Sequence, residues 1–401
     1  MTATRRPNAP PVYLDYQATT PCDPRVVEAM LPYFTEKFGN PGSLTHAYGR
    51  EAEAAVEQAR GQLAELIGAE PREIVFTSGA TESNNTALKG AAHFHRQFGK
   101  DHVVTLATEH KCVLESARSL EEEGFRVAYV PAGRDGLVDL GRLEAAISDQ
   151  TSIVSVMAAH NEIGVIQPLK EISALAHAKG ALFHSDAAQA VGKIALDVDD
   201  VGADLLSISG HKVYGPKGVG ALYLRRRPRA RIKPLIDGGG QERAMRSGTL
   251  PVPLIVGLGR AASIARSEME GEAQRLLVLR ARLLGGLKSR FPALVLNGHA
   301  EKRLPGNLNL SFPGIKALDL IAACPGLALS TGSACTAAEI EPSYVLKALG
   351  LGEDIAGSSL RIGIGRFTTA TEIDFAIEAI EAALNRLRSG PGVTSASGGT
   401  T

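Results

Sequence analysis

The sequence lacks several features that would place its 401 residues in particular classes of protein. No run approaches the roughly 18 apolar residues that a membrane-spanning helix needs. The 43 basic and 43 acidic side chains cancel, so net charge gives no attraction to nucleic acid or to an anionic membrane. Residues 1–11 contain no apolar stretch, so no secretory signal is expected. We therefore expect a cytoplasmic protein that contacts neither membrane nor nucleic acid directly.

Cysteine is also scarce. The chain has four cysteines and no CxxC pair, so neither a disulfide framework nor a resident metal site is expected. The sequence predicts reduced thiols at all four positions: Cys22, Cys112, Cys324 and Cys335.

Short apolar runs alternate with helical patterns through the first 260 residues. A helix is expected over residues 50–67, where Val56, Ala59 and Leu63 recur at helical spacing and Gly68 follows as a cap. Further helices are expected from residue 80 and over 112–123. Strands are expected near residues 74–76, 103–106, 127–130, 153–157, 181–184, 205–208 and 219–224. This alternation predicts an α/β fold, with a mixed, mostly parallel sheet flanked by helices.

The pattern changes after Gly257. A long charged helical pattern covers residues 258–291, and a last helix is expected over 372–387. We predict a large domain formed by residues 17–260 and a smaller α+β domain formed by residues 12–16 together with 261–388. Residues 389–401 are rich in Gly, Ser and Thr and are expected to be disordered.

One lysine stands at the end of a predicted strand. Lys212 lies in the segment Ser209-Gly210-His211-Lys212, directly after the strand near 205–208. A lysine that binds a carbonyl cofactor covalently needs a rigid support of this kind, and Ser209 and His211 offer hydrogen bonds to a phosphate. Taken alone, Lys212 is better explained as an ordinary solvated surface charge.

A second segment has the composition of an anion cradle. Ser78, Gly79, Ala80 and Thr81 lie between a predicted strand and a predicted helix, where backbone N–H groups and a hydroxyl favour a phosphate. An ordinary capped turn gives the same pattern. The chain has neither a P-loop nor a strand-anchored G-x-G-x-x-G motif, so a nucleotide is the less favoured source of that phosphate.

Two more strand ends carry polar groups. Asp186 is placed to pair with a protonated pyridine nitrogen and Gln189 to bind a phenolic oxygen, although Asp186 alone also suits a helix cap. His110 is placed to stack on a flat ring and to move protons, although a structural role explains this histidine better when it is considered in isolation. Because all four signals occur at strand ends, they jointly predict one cofactor site.

The four cysteines have different surroundings. Cys335 lies among the small polar residues 330–338, a composition typical of an exposed loop that carries a reactive thiol. Cys324 and Cys112 are expected to be buried structural residues, and Cys22 lies in a turn with no base in sequence reach.

Long motifs resemble those of cysteine desulfurases of the IscS/NifS type, a class V aminotransferase-like group of fold-type I enzymes that use pyridoxal 5'-phosphate. The resemblance covers roughly residues 12–388. The motifs that carry it are YLDYQATTP, FGNPGSLTH, EIVFTSGATESNN, ATEHKCVLE, NEIGVIQP, HSDAAQAVGK, SGHKVYGPKGVGALY, GGGQERAMRSGTLP, STGSACTAAEIEPSYVLKALG and SLRIGIGRFTT.

The resemblance implies a role for each matching residue around the cofactor. Lys212 is similar to the family's Schiff-base lysine, Asp186 to the partner of the pyridine nitrogen, Gln189 to the phenolate partner, and His110 to the ring-stacking acid and base. The residues similar to the phosphate cradle are Ala80, Thr81, Ser209 and His211.

The remaining implied roles concern the second subunit, the substrate and the sulfur. Thr249 resembles the residue that reaches the phosphate from a partner subunit, which implies a homodimer. Asn161 and Arg361 resemble the groups that hold the carboxylate of L-cysteine. Cys335 resembles the thiol that receives the sulfur as a persulfide, while L-alanine leaves. Whether Cys335 also binds an iron–sulfur cluster transiently is left open.

The resemblance also implies partner proteins and leaves alternative functions open. Family members pass sulfur to iron–sulfur scaffold proteins and to tRNA-thiolation relays. An acidic sulfur-acceptor protein would suit the basic residues, although a solvated surface explains them equally well: Arg225, Arg226, Arg227, Arg229, Arg231 and Lys233. The rival functions are a selenocysteine lyase, a small-amino-acid aminotransferase of the same fold, and a non-catalytic adaptor.

Overall fold

The computed structural model describes residues 10–332 and 343–389. Cys335 and all but the first residue of the predicted disordered tail lie outside these ranges. Twelve strands occur in the described part of the chain: β1 Val12–Tyr13, β2 Ile74–Thr77, β3 His102–Leu106, β4 Arg126–Val130, β5 Thr151–Ser155, β6 Leu182–Asp186, β7 Leu205–Ser209, β8 Gly220–Leu224, β9 Val295–Leu296, β10 Asn307–Ser311, β11 Leu327–Ala328 and β12 Ser359–Gly363.

Helices separate most of these strands. Within the same described ranges they are α1 Pro24–Met30, α2 Pro32–Thr35, α3 Ala47–Leu66, α4 Ala80–His95, α5 Lys111–Glu122, α6 Leu140–Ala146, α7 Leu169–Ala178, α8 Val252–Arg290, α9 Ala317–Ala322, α10 Tyr344–Ala348, α11 Glu353–Gly357 and α12 Ala370–Arg388. Short 3₁₀ turns cover Pro71–Glu73, Arg96–Phe98, Gly210–Lys212 and Glu242–Ala244.

The main sheet has seven strands in the order β2-β8-β7-β6-β5-β3-β4. Only β8 is antiparallel to its neighbours, β2 and β7, and the other pairs are parallel. The prediction of a mixed, mostly parallel α/β sheet is therefore confirmed. Because β2, β3, β6 and β7 point the same way, the segments that follow them meet at one edge of the sheet, where open α/β sheets bind ligands.

The local sequence explains the elements that flank this edge. β2, β5 and β7 are buried along their whole length, which matches their short apolar runs. α3 buries Val56, Ala59 and Leu63 on one face, and the chain leaves this helix through Gly68 at φ +70°.

The two halves of α8 pack into two different apolar clusters. The N-terminal half of α8 packs into the core around the main sheet through residues such as Leu258 and Ala262. Its C-terminal half contributes Leu283 and Leu287 to a second core, which lies beneath the small antiparallel sheet β12-β10-β9 and α12. β1 pairs with β11, so the N-terminal strand belongs to this second core. The domain boundary at residue 260 falls inside α8 and stays a prediction.

None of the helices in the described ranges is both long enough and apolar enough to cross a membrane.

Candidate active site

A pocket of about 590 Å³ lies at the carboxyl edge of the main sheet. This volume suits a cofactor together with a small substrate. Most of the residues singled out in the sequence line it: Ala80, Thr81, His110, Asn161, Asp186, Gln189, Ser209, His211, Lys212 and Arg361. The structure thus brings together residues that lie up to 281 positions apart in the sequence, as the first and last of them, Ala80 and Arg361, show. The individual roles of these residues stay predictions.

Lys212 lies on a short turn that continues β7. Its Nζ donates to the carbonyl oxygens of Gln17 and Ala18, the latter at 2.7 Å. The turn begins at Gly210, whose missing side chain leaves room for the carbonyl of Pro216. A rigid strand therefore holds the lysine, and the N-terminal segment holds its amine.

The predicted anion cradle forms the start of α4. Gly79, at the N-cap, adopts φ +152° and offers no side-chain cap, and the space where its Cβ would lie is open. The first N–H groups of α4 are therefore available to a ligand. His211 completes this wall, and its Nδ1 lies 3.0 Å from the Thr19 hydroxyl. Burial, together with the positive charges of Lys212 and Lys217, lowers the pKa of His211 to about 4, so this ring is neutral near pH 7.

Asp186 ends β6, and neighbouring groups fix the orientation of its carboxylate. Oδ2 accepts from Asn84 Nδ2 at 2.7 Å, and Oδ1 accepts from the Ala188 N–H at 3.0 Å. Asn84 is fully buried on α4. The carboxylate is therefore held against the wall of the pocket at a defined angle.

His110 is the N-cap of α5, and Cys112 lies beside it. His110 Nδ1 accepts from the Cys112 N–H at 3.2 Å and lies 3.0 Å from Cys112 Sγ. Cys112 is half-buried and lines the pocket. The expectation that Cys112 is a buried structural residue is wrong. It is half-buried, and although it packs against an apolar cluster, its thiol also contacts His110. Cys324 is buried in the second apolar core, as expected.

Gln189 connects the pocket with a lysine behind it. Its Nε2 donates to the Gln17 carbonyl at 2.9 Å, and its Oε1 accepts from Lys193 Nζ at 2.8 Å. Burial and the charge of Lys212 lower the pKa of Lys193 to about 7. The Gln189 amide is thereby fixed with its nitrogen toward Gln17.

Arg361 lies on β12 of the small sheet and reaches across to the main sheet. Its Nη2 pairs with Asp15 Oδ1 at 2.7 Å, and its Nη1 donates to the Asn161 carbonyl at 3.2 Å. Arg361 is 2% exposed, and its Nε has no hydrogen-bond partner among the described residues. A buried guanidinium with an unused N–H donor is well suited to bind a carboxylate.

Two predicted residues lie elsewhere. Thr249 is exposed and does not line the pocket of its own chain. Cys335 lies outside the described residues, but Gly332, the last described residue before it, lines the pocket.

Several residues of the site were not predicted from the sequence. Asn84, Cys112, Asp15 and Lys193 each contact a predicted residue. Asn84 lies one turn into α4 after the cradle, so helical spacing alone places it on the same side of α4 as residues near the cradle. The sequence has no comparable signal for Asp15, because only the pairing of β1 and β12 with distant segments brings it to Arg361.

Comparisons with known proteins agree with this arrangement. The family described as Aminotransferase class-V matches residues 12–375. The cysteine desulfurase IscS of Rickettsia bellii is 58% identical over 94% of this chain and 92% of its own length. A solved structure named NifS-like protein superposes with a TM-score of 0.87 at 39% identity, covering 94% of this chain and 99% of that one. A structure of SspA in complex with cysteine superposes with a TM-score of 0.79 at 38% identity, covering 89% and 100%.

The chain belongs to the class-V aminotransferase family and, within it, to the IscS-type cysteine desulfurases. It has the fold-type I architecture, and its cofactor is pyridoxal 5'-phosphate. The residues present fit that group. The uncapped start of α4 suits the phosphate, the Asp186 carboxylate suits a pyridinium nitrogen, and Lys212 suits the aldehyde.

Proposed function

We propose that this cysteine desulfurase takes sulfur from free L-cysteine, releases L-alanine and leaves the sulfur as a persulfide on Cys335. The observation that carries the proposal is the single pocket shared by Lys212, Asp186, His110 and Arg361. It contains an amine, an acid, a proton carrier and a carboxylate receptor, which are the groups that this chemistry needs.

The protein would hold the substrate by its carboxylate. Arg361 has an unused Nε donor, and Asp15 fixes the position of its guanidinium. Asn161 lines the same wall and accepts from Arg361 through its carbonyl oxygen. We propose that these groups orient L-cysteine so that its Cα hydrogen faces Lys212.

Proton transfer is assigned to Lys212 and His110. Pyridoxal 5'-phosphate, when bound, supplies an electron sink for negative charge at the substrate Cα. The Lys212 amine takes the proton from Cα, and Asp186 keeps a proton on the pyridine nitrogen. His110 moves protons to and from the substrate near neutral pH.

The sulfur acceptor is assigned to Cys335 from the sequence. Its thiolate attacks the substrate sulfur, the Cβ–S bond breaks, and the electron pair of that bond stays with the carbon fragment. Protonation of this fragment gives L-alanine, so atoms and electrons balance without an external oxidant. Gly332 in the pocket wall supports this assignment, because Cys335 follows it by three residues.

A homodimer is proposed as the active form. Thr249 is exposed on its own chain, which leaves it available to a partner's phosphate cradle. Apolar residues on the surface between α1 and α3 are each more than half exposed and would be covered by a second copy: Leu31, Phe34, Phe38, Leu44 and Tyr48.

Delivery of the sulfur is assigned to a protein with an acidic surface, such as an iron–sulfur scaffold or a tRNA-thiolation relay protein in the cytoplasm. Arg226, Arg227, Arg229, Arg231 and Lys233 are exposed. Arg225 does not belong to this surface, because its guanidinium turns inward to the Val198 carbonyl and Asp199.

The test is product analysis after L-cysteine is added to the holoenzyme. We expect L-alanine and reductant-labile sulfur in equal amounts, and loss of more than about 1000-fold in rate for Lys212→Ala, because covalent binding and the base are lost together. Lys170→Ala, an exposed lysine paired with Asp200, is the matched control and should keep wild-type activity. 3-Mercaptopyruvate would indicate aminotransfer, pyruvate would indicate β-elimination of the sulfur, and turnover of selenocysteine alone would indicate a selenocysteine lyase. A colourless protein that makes no product would indicate an adaptor.

A further inference from the structure

Cys112 links two groups on different sides of the pocket. Asn84 Nδ2 donates to Asp186 Oδ2 at 2.7 Å and to Cys112 Sγ at 3.1 Å. Cys112 Sγ in turn lies 3.0 Å from His110 Nδ1. These three contacts form a continuous hydrogen-bonded chain from Asp186 to His110, which we call the Asn84–Cys112 relay.

The direction of each hydrogen bond follows from the donors. The Asp186 carboxylate only accepts, so the nitrogen of the Asn84 amide faces it, and the same nitrogen also faces Sγ. The Cys112 backbone N–H only donates, so the Nδ1 it contacts at 3.2 Å carries no proton. The hydrogen bond between Cys112 Sγ and His110 Nδ1 therefore requires that the thiol S–H donates and Nδ1 accepts.

The consequence concerns the ring of His110. A neutral imidazole carries one proton, and Nδ1 is occupied as an acceptor from both the backbone and the thiol. The proton of the neutral ring therefore resides on Nε2. We propose that Cys112, through this hydrogen bond, is a positioning residue that fixes the orientation and tautomer of His110 and couples it to Asp186.

This proposal rests on the proposed function only for the role of His110 in turnover. The relay itself is independent of Cys335 and of the sulfur acceptor. It also distinguishes Cys112 from Cys22, which is half-buried against the main core and does not line the pocket.

The charged and titratable groups around the relay come from several elements. Glu109 and Lys111 flank His110 in the chain, His160 and Asp186 face it from neighbouring segments, and Lys212 and Arg361 line the same pocket. Burial raises the pKa of Glu109 well above its usual value, and burial lowers the pKa of His160 to about 4. His160 is therefore neutral near pH 7 and adds no proton step in the range where the relay is tested.

The experiment compares the wild-type holoenzyme with Cys112→Ala, Cys112→Ser and Cys22→Ala. A donor to Nδ1 favours the neutral ring, so its loss should move the acidic limb of the kcat/KM profile for L-cysteine upward by about 0.5–1 pH unit in Cys112→Ala. Cys112→Ser retains a donor and should keep the wild-type profile, as should Cys22→Ala.

A second readout needs no turnover. The visible absorption band of the bound cofactor is titrated with pH in the resting holoenzymes. The pH at the midpoint of this absorption change should differ from the wild-type value in Cys112→Ala and match it in Cys112→Ser. Identical midpoints and limbs in the wild type and Cys112→Ala would overturn the proposal, and so would a serine variant that behaves like the alanine variant. A wild type that makes no alanine would contradict the proposed function instead, and the absorption titration would still test the relay.

Discussion

Burial sets the protonation state of several side chains around the pocket. It lowers the pKa of His211 to about 4 and raises the pKa of Glu162 to about 7. Glu162 lies directly against Gly332, where an added Cβ would come within 2.7 Å of its carboxyl carbon, and it hydrogen-bonds Ser343. The Glu162 carboxyl thus contacts both described ends of the segment that contains Cys335.

Glu162 gives a pH prediction. Its pKa is higher in the folded chain than the ordinary 4.5, so the folded state binds this proton more tightly. The resulting stability is fully present below about pH 4.5 and is lost as the pH rises through about 7. Glu162→Gln stays neutral, so its stability relative to the wild type should rise by up to about 3 kcal/mol between pH 4.5 and pH 8.

The measurement is denaturant unfolding of both proteins across this pH range. Glu378→Gln, at an exposed position on α12, is the matched control and should show no such trend. A difference between Glu162→Gln and the wild type that is constant with pH would show that folding does not raise the pKa of Glu162.

At the scale of the element, the turn Glu242–Ala244 has an unusual backbone. Glu242, Arg243 and Ala244 have φ values of +47°, +57° and +63°, which non-glycine residues rarely adopt. The Glu242 carboxylate holds the turn, since it accepts from both terminal nitrogens of Arg60 at 2.8 and 2.7 Å and from the Phe76 N–H at 2.7 Å. These bonds offset the cost of the left-handed conformation.

Ala244 provides a test of that strain. A glycine adopts a positive φ without a Cβ clash, so Ala244→Gly should stabilise the protein by about 0.5–1 kcal/mol. The same change at Ala382, exposed in the middle of α12, should destabilise it by about 1 kcal/mol. Urea unfolding of both variants measures the two signs. Destabilisation by Ala244→Gly would contradict the left-handed assignment.

The sequence predicted most elements but not this turn or the start of α8. The strands of the main sheet and the helices beside it were predicted because each has a regular pattern of apolar residues in its own sequence and is flanked by turn residues. The left-handed turn has no glycine at 242–244, so only its contacts with Arg60 and β2 reveal it. α8 begins at Val252 rather than near 258, and Gly257 and Gly259 lie inside it because Met30 and Ala59 pack against them. These glycines allow close packing of α8 against its neighbours, whereas the sequence pattern indicated that the helix starts only after Gly257.

At the scale of the whole molecule, the site depends on distant parts of the chain. The motifs identified most of the residues that line the pocket, because most of these residues lie at or just after the end of a strand. The Asp15–Arg361 pair and the Asn84–Cys112 relay were not predictable, because they result from how segments far apart in the chain pack together.

The proposed homodimer predicts complementation between subunits. Lys212→Ala and Thr249→Asp should each be nearly inactive, the second because its carboxylate would repel the phosphate of the partner's site. In a mixed dimer of the two variants, one site has both native residues. Random mixing after reversible dissociation should therefore restore about a quarter of the wild-type activity. No recovery in mixtures that contain hybrid dimers would place Thr249 outside the partner's site.

The central claim is that Cys335 receives the sulfur of L-cysteine. The direct measurement is intact-protein mass spectrometry of the holoenzyme after one turnover without reductant, for the wild type, Cys335→Ala and the control Cys22→Ala. We predict one added sulfur that is lost on reduction and maps to Cys335 in the wild type and in Cys22→Ala, with no added sulfur in Cys335→Ala. Stoichiometric alanine and undiminished bound sulfur in Cys335→Ala would contradict the account.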